Sequence, residues 1–340
     1  MRSRASRARF IFLAAALLCA TGPVLAKARV RTPVAKTRQF AFYSNFSTNL
    51  NDALIAAGDA RRRHKPELFH DGAEEPCFAK LPPPARAAWD RSVDYYAEIL
   101  SPSERQQYLV RVHLAGFDDE LGTPRDRQVA EIAAAFREAA RPAYEACRWA
   151  AQDEDNRRWI ATVHAQLLLH EKVIARRLEA LYQNRWGSLP IPVEVVQTVN
   201  WSGANTILRD PDGGQILVAV ENPERSALEI VFHEASHILT GRGAPIRKAL
   251  EDAAAAHNLT LPGDLWHVVL FYTTGEVVRS VLSDAGDERY SPMLYEILER
   301  GGEWNNYRNA IESTWPAYMN GKRTLADAAG DLVKALPWKQ

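Results

Sequence analysis

Cysteine is scarce, with three residues among 340. None has a partner at C-x-x-C spacing, which excludes a thiolate zinc site of the finger or ribbon type. Net charge is also missing. The 42 basic and 42 acidic side chains balance, so the chain lacks the basic face that nucleic acid requires, and no nucleic-acid partner is expected. Beyond the N-terminus no apolar run approaches the ~18 residues of a membrane span. Repeats of fixed period are absent, and compositional bias is limited to Ala-rich helical stretches such as Glu131–Ala140.

What is present begins with an address. Arg2, Arg4, Arg7 and Arg9 form a positive segment free of acidic residues, and Phe10 to Cys19 is an apolar core too short for a permanent span. Pro23 to Ala26 supply a small-residue exit. Residues 1–26 therefore read as a signal peptide cleaved after Ala26, or after Ala28, and a secreted or periplasmic location is expected. With those four arginines removed, 38 of the 42 basic residues face 42 acidic ones. No stable membrane span is expected after cleavage. Cys77 and Cys147 remain, and an even pair in an exported chain favours a disulfide over two free thiols.

The rest of the chain falls into three stretches. Residues 27–39 are basic, contain proline and lack apolar periodicity, the mark of a flexible leader. From 40 to 186 apolar residues recur at three- and four-residue spacing, notably over Asn51–Arg63, Pro84–Leu100, Arg125–Ala150 and Asn156–Tyr182. The pattern changes over 187–340. Pro190–Val199 is β-branched and extended, and Thr206–Arg209 and Gln215–Val220 flank the turn signal Asp210-Pro211-Asp212-Gly213-Gly214. Helical patterns resume at Pro223. The expected fold is mainly α with a small β-sheet (α+β).

Chemistry concentrates in one segment. Asn222-Pro223-Glu224 opens a helix and Thr240-Gly241 closes it. Between them lies Phe232-His233-Glu234-Ala235-Ser236-His237-Ile238. Residues four apart share a helical face, so His233 and His237 can converge on one metal ion. Glu234, rotated about 100° from His233, sits beside them as a general base for a water molecule, while Ala235 and Ser236 leave room near the metal. The Asn-x-Ser triplets at Asn45 and Asn200 matter only in a glycosylating host.

This arrangement resembles the zincin metallopeptidases over roughly residues 190 to 283. The resemblance implies one zinc ion, a peptide or protein substrate, and an edge strand over the active-site helix, here Gln215–Val220, that pairs with substrate backbone. Gly241 and Gly243 do not supply the third histidine of the metzincin branch. A second apolar helix, Gly263–Arg279, carries a lone carboxylate at Glu276. Unpaired carboxylates are almost never fully buried, so Glu276 is the expected third ligand, in the gluzincin pattern, with Arg279 one turn on as the competing partner. His267 lies nine residues before Glu276, about 180° round the helix, so both cannot face one metal, and His267 is set aside. Ser280 stands where a gluzincin would carry an orienting Asp, leaving Asp252, Asp264 or Asp284 for that role. Tyr272 and Tyr290 are candidates for stabilising a developing oxyanion. Asn45-Phe46-Ser47-Thr48-Asn49-Leu50 and the Leu265-Trp266-His267 helix are also similar to uncharacterised exported bacterial proteins, which carries no activity with it.

The expectation is thus a zincin-like catalytic region following a helical N-terminal half, working as a zinc metallopeptidase with Glu234 as base. Two other classes compete: a catalytically silent envelope protein in which zinc staples two helices, and a cell-wall-directed binding module without metal.

Overall fold

The computed structural model describes residues 32–64, 75–199, 203–209 and 213–338. The expected signal peptide, the first five residues of the leader (27–31), the triplet at Asn200 and the turn residues 210–212 lie outside them.

A mixed sheet of five strands organises the described residues: β1 (Ala35–Lys36), β2 (Phe40–Tyr43), β3 (Ile191–Val196), β4 (Ala204–Arg209) and β5 (Gly213–Ala219). Their spatial order is β1-β2-β3-β5-β4. The two outer pairs are antiparallel, whereas β2 pairs with β3 and β3 with β5 in parallel. The first two strands were not expected. β1 falls in the stretch read as a flexible leader, and β2 opens the stretch read as helical. Both are too short to show a period; β2 is held by pairing with β3, and β1 by pairing with β2.

Parallel neighbours need a crossover connection, and between β2 and β3 that connection is the whole helical half. It contains α1 (Phe46–Arg62), α2 (Glu75–Lys80), α3 (Pro83–Tyr95), α4 (Glu104–Ala115), α5 (Pro124–Tyr144) and α6 (Ala150–Tyr182). Local chemistry sets these starts. Asn45 accepts from the amides of Ser47 and Thr48 at 2.9 and 3.2 Å, and Ser103 and Thr123 cap α4 and α5 in the same way. A disulfide joins Cys77 on α2 to Cys147 just before α6, with Cα atoms 5.7 Å apart. After the sheet come α7 (Ala227–Leu239), α8 (Pro245–Ala255), α9 (Leu265–Asp284), α10 (Met293–Glu299), α11 (Arg308–Met319) and α12 (Leu325–Ala335).

The sheet is covered on both faces, with successive strand residues alternating between two cores. Ile216 and Val218 join the main core beneath α6, α7 and α9, while Leu217 and Ala219 join a smaller one with Leu109 and Val112 of α4. That double burial explains why β3 and β5 carry apolar residues on both faces, with Glu194 and Gln215 as buried exceptions. Residue 187 is not a boundary between bodies: Pro33–Gln340 is one compact unit, and Phe40 and Phe42 share the main core with Phe232 and Leu270. Among the described residues no helix is long and apolar enough to cross a membrane.

Candidate metal centre

Helix α7 is fixed to the rest of the protein by the residues between its histidines and on its far side. Phe232 is fully buried and meets Phe40 edge to face at 5.2 Å, an anchorage that large-to-small truncation typically weakens by about 3–5 kcal/mol. Ser236 does not line the metal site as expected. It is fully buried and accepts from Thr274 of α9 at 3.2 Å, and Thr274 in turn contacts the Tyr182 hydroxyl of α6 at 2.9 Å. This hydroxyl chain sets α7 against α9. The ends of α7 also differ from the expected caps. Asn222 donates to the carbonyls of Gly203 and Ala219 instead of capping, a short 3₁₀ turn over Glu224–Ser226 precedes the helix, and the left-handed glycine comes at Gly243 rather than Gly241.

The packing of α9 on α7 gathers three imidazoles. His233 and His237 of α7 and His267 of α9 have ligand nitrogens all within 4.8 Å of one another, and the Nε2 atoms of His233 and His267 stand 3.2 Å apart. Nitrogens around a tetrahedral ion at about 2.0–2.1 Å lie about 3.3 Å from each other, so the donor set fits a metal by spacing. It also fits by protonation. Burial, with the neighbouring histidines adding to it, holds His233 well below the usual imidazole range. Burial, then the charges of His267 and Arg247, holds His237 at about 3. Burial holds His267 at about 4 against the opposing field of Asp264. All three rings are therefore neutral near pH 7, the form that ligates metal. Among the described residues, the buried Nδ1 of His233 has no hydrogen-bond partner, so this ring is oriented by Phe271, whose centroid lies 3.7 Å away.

Glu234 lies beside this cluster on α7, 6% exposed. Burial raises its carboxyl to about 7, opposed by one hydrogen bond from Thr206. The Thr206 hydroxyl lies 2.5 Å from Oε2 and 2.8 Å from the backbone carbonyl of the same residue. A hydroxyl has a single proton. It can serve the ionised carboxylate, or turn to the carbonyl when the carboxyl itself donates. Thr206 belongs to β4, and here the expected edge strand is corrected. Gln215–Val220 falls in β5, which is interior, between β3 and β4, and β4 is the edge strand against α7. The register of β4 on β5, together with the bond from the Ala219 amide to the Gly203 carbonyl, turns the backbone groups of Thr206 and Leu208 away from β5.

Glu276 does not join the histidines. Its carboxylate is bound by Arg279 on the same helix and by the Tyr295 hydroxyl at 3.0 Å. The 180° separation from His267 holds, and it is His267 rather than Glu276 that stands with the α7 histidines, because the stripe His267, Phe271, Thr274 faces α7 while Tyr272, Glu276, Arg279 turns toward α10. Tyr272 accordingly sits near Glu276 and Tyr295, its hydroxyl pushed to about 12 chiefly by burial. Tyr290 donates to Glu229, a fully buried carboxylate one turn before His233. Neither tyrosine reaches the cluster. Gly275 is required at this contact, since a Cβ there would meet Pro292 at 2.7 Å and Glu229 Oε1 at 2.9 Å. Of the three aspartates considered for orienting a ligand, Asp252 pairs with Lys248 and Asp284 with Arg177. Asp264 bears on His267 by charge and accepts from Trp304.

Sequence reasoning also missed Thr206, Arg247 and the aromatic wall of Trp266, Phe271 and Trp304 around His267. The available signal was the i, i+4 pair His267 and Phe271, placing an aromatic directly over a ligand. No family model matches this chain, and no curated protein or solved structure does either.

Proposed function

We propose that this chain is an exported zinc-dependent hydrolase of zincin type that cleaves peptide bonds. The observation that carries the reading is the meeting of three neutral imidazoles from two helices, His233, His237 and His267, beside the buried carboxylate of Glu234. Three protein ligands, rather than four, is the count of catalytic zinc sites. Zinc held there supplies Lewis-acid polarisation of a carbonyl and acidification of water. Glu234 accepts a proton at its carboxylate from the attacking water and delivers it to the leaving nitrogen. Thr206 holds Oε2 in place from the edge strand, and the outward-facing backbone groups of β4 present an extended substrate to the same cleft. Trp266, Phe271 and Trp304 exclude water from the histidine side.

The test is digestion of a peptide library by the zinc-reconstituted chain and by Glu234→Gln. Cleavage by the wild type, with the variant retaining zinc but losing turnover, supports the reading. A variant as active as the wild type refutes it, and a wild type that binds zinc yet cuts nothing leaves a metal staple between α7 and α9.

A further inference from the structure

The segment after α7 brings Arg247 of α8 to the rim of the histidine cluster. Its Nε donates to the Thr240 carbonyl at 2.6 Å, and its guanidinium carbon lies 3.5 Å from the centroid of the Trp266 ring. That indole stacks on His267, with centroids 5.0 Å apart and planes at 24°, and meets His237 edge-on at 5.6 Å. Arg247, Trp266 and His267 are thus successive layers of one stack. Arg247 is half-buried. Of its five N–H donors only the one on Nε has a protein acceptor among the described residues, and no carboxylate among them lies within ion-pair distance. The exposed Arg242 adds a second positive charge nearby, while Glu251 acts on Arg247 only through its field.

A planar fork held against an aromatic ring is pre-organised for bidentate pairing with a carboxylate. Here neither Nη end has an acceptor among the described residues. We infer that Arg247 binds an anionic group of the substrate beside the histidine cluster, so that the substrates are peptides with a carboxylate close to the bond presented to Glu234. The word substrate rests on the hydrolase reading; carboxylate binding by Arg247 does not. The carboxylate has two sources, a free C-terminus or an acidic side chain.

Calorimetric titration of the whole chain, zinc-loaded and EDTA-treated, separates them. The probes are N-acetyl-Phe-Leu, N-acetyl-Phe-Leu amide and N-acetyl-Phe-Asp amide. On the EDTA-treated chain, at least one carboxylate probe binds about tenfold or more tighter than the Leu amide, as a charge-assisted pair requires. The probe that gains identifies the source. Arg247→Met erases the preference, Arg247→Lys keeps part of it because charge remains without the fork, and Arg242→Met leaves it intact. Equal binding of all three probes by the wild type, or a preference that survives Arg247→Met, overturns the inference. Preference without cleavage by the zinc-loaded chain removes the hydrolase reading alone, and cleavage without preference removes the Arg247 inference alone.

Discussion

Helix α7 carries two buried carboxylates little more than one turn apart, and their surroundings differ in kind. Glu229 is fully enclosed, accepts from the Tyr290 hydroxyl and from the Met293 amide at 3.1 Å, and touches no histidine of the cluster. Glu234 receives one hydroxyl, from the edge strand, and stands beside the imidazoles. Burial pushes both to about 7. A raised carboxyl is thus no mark of function by itself: what separates the two is the number of donors that immobilise the group, and whether a ligand can reach it. Glu229 pins the segment before α10 to α7. Glu234 is held on one side by Thr206, and its carboxylate has no second hydrogen-bond donor among the described residues.

Substitution of each carboxylate sharpens this contrast. Glu234→Gln is expected to lower turnover about 10²–10⁴-fold, the worth of a positioned general base, with zinc content by metal analysis unchanged. Glu229→Gln acts on stability instead. The folded carboxyl titrates near 7 and the unfolded one near 4.5, so between those values the folded state holds the extra proton and this group's contribution falls as pH rises. Urea unfolding of the EDTA-treated chain at pH 4.5 and pH 8 should show the variant gaining on the wild type, by on the order of 3 kcal/mol across that window. A difference independent of pH breaks the comparison. Thr206→Val should lower kcat/KM about tenfold, in the range of groups that orient a site from behind, with zinc affinity unaltered. Smallest is Glu276→Ala, which removes an ion pair whose arginine is half-exposed. A loss of at most about 1 kcal/mol in thermal unfolding is expected.

Much of this was legible from local pattern. The helix carrying His233, Glu234 and His237 has a face fixed by four-residue spacing, and β3, β4 and β5 stand where β-branched runs and turn residues put them. The pairing of Cys77 with Cys147 is what an even pair of cysteines in a chain read as exported favours. The third histidine was not legible, for a physical reason. Most of α9 is buried around its circumference, and a helix that is apolar all round has no polar face to say which side meets a given neighbour. The rule against unpaired buried carboxylates was sound, but Arg279 and Tyr295 satisfied Glu276 without a metal. Strand order failed similarly: β5 follows β4 in a hairpin, yet its other edge pairs in parallel with β3, a long-range contact no local pattern announces. His267 became visible only when Ser236, Thr274 and Tyr182 fixed how α7 lies on α9.

Zinc titration of the purified full chain, wild type beside His267→Ala and Glu276→Ala, tests the three-histidine centre most directly. One zinc per chain in the wild type, retained within about twofold in affinity by Glu276→Ala and weakened more than about 100-fold by His267→Ala, is the expected result; loss of a ligand should exceed the 10–100-fold typical of groups behind the ligands. Zinc bound equally well by His267→Ala, or lost from Glu276→Ala, contradicts it.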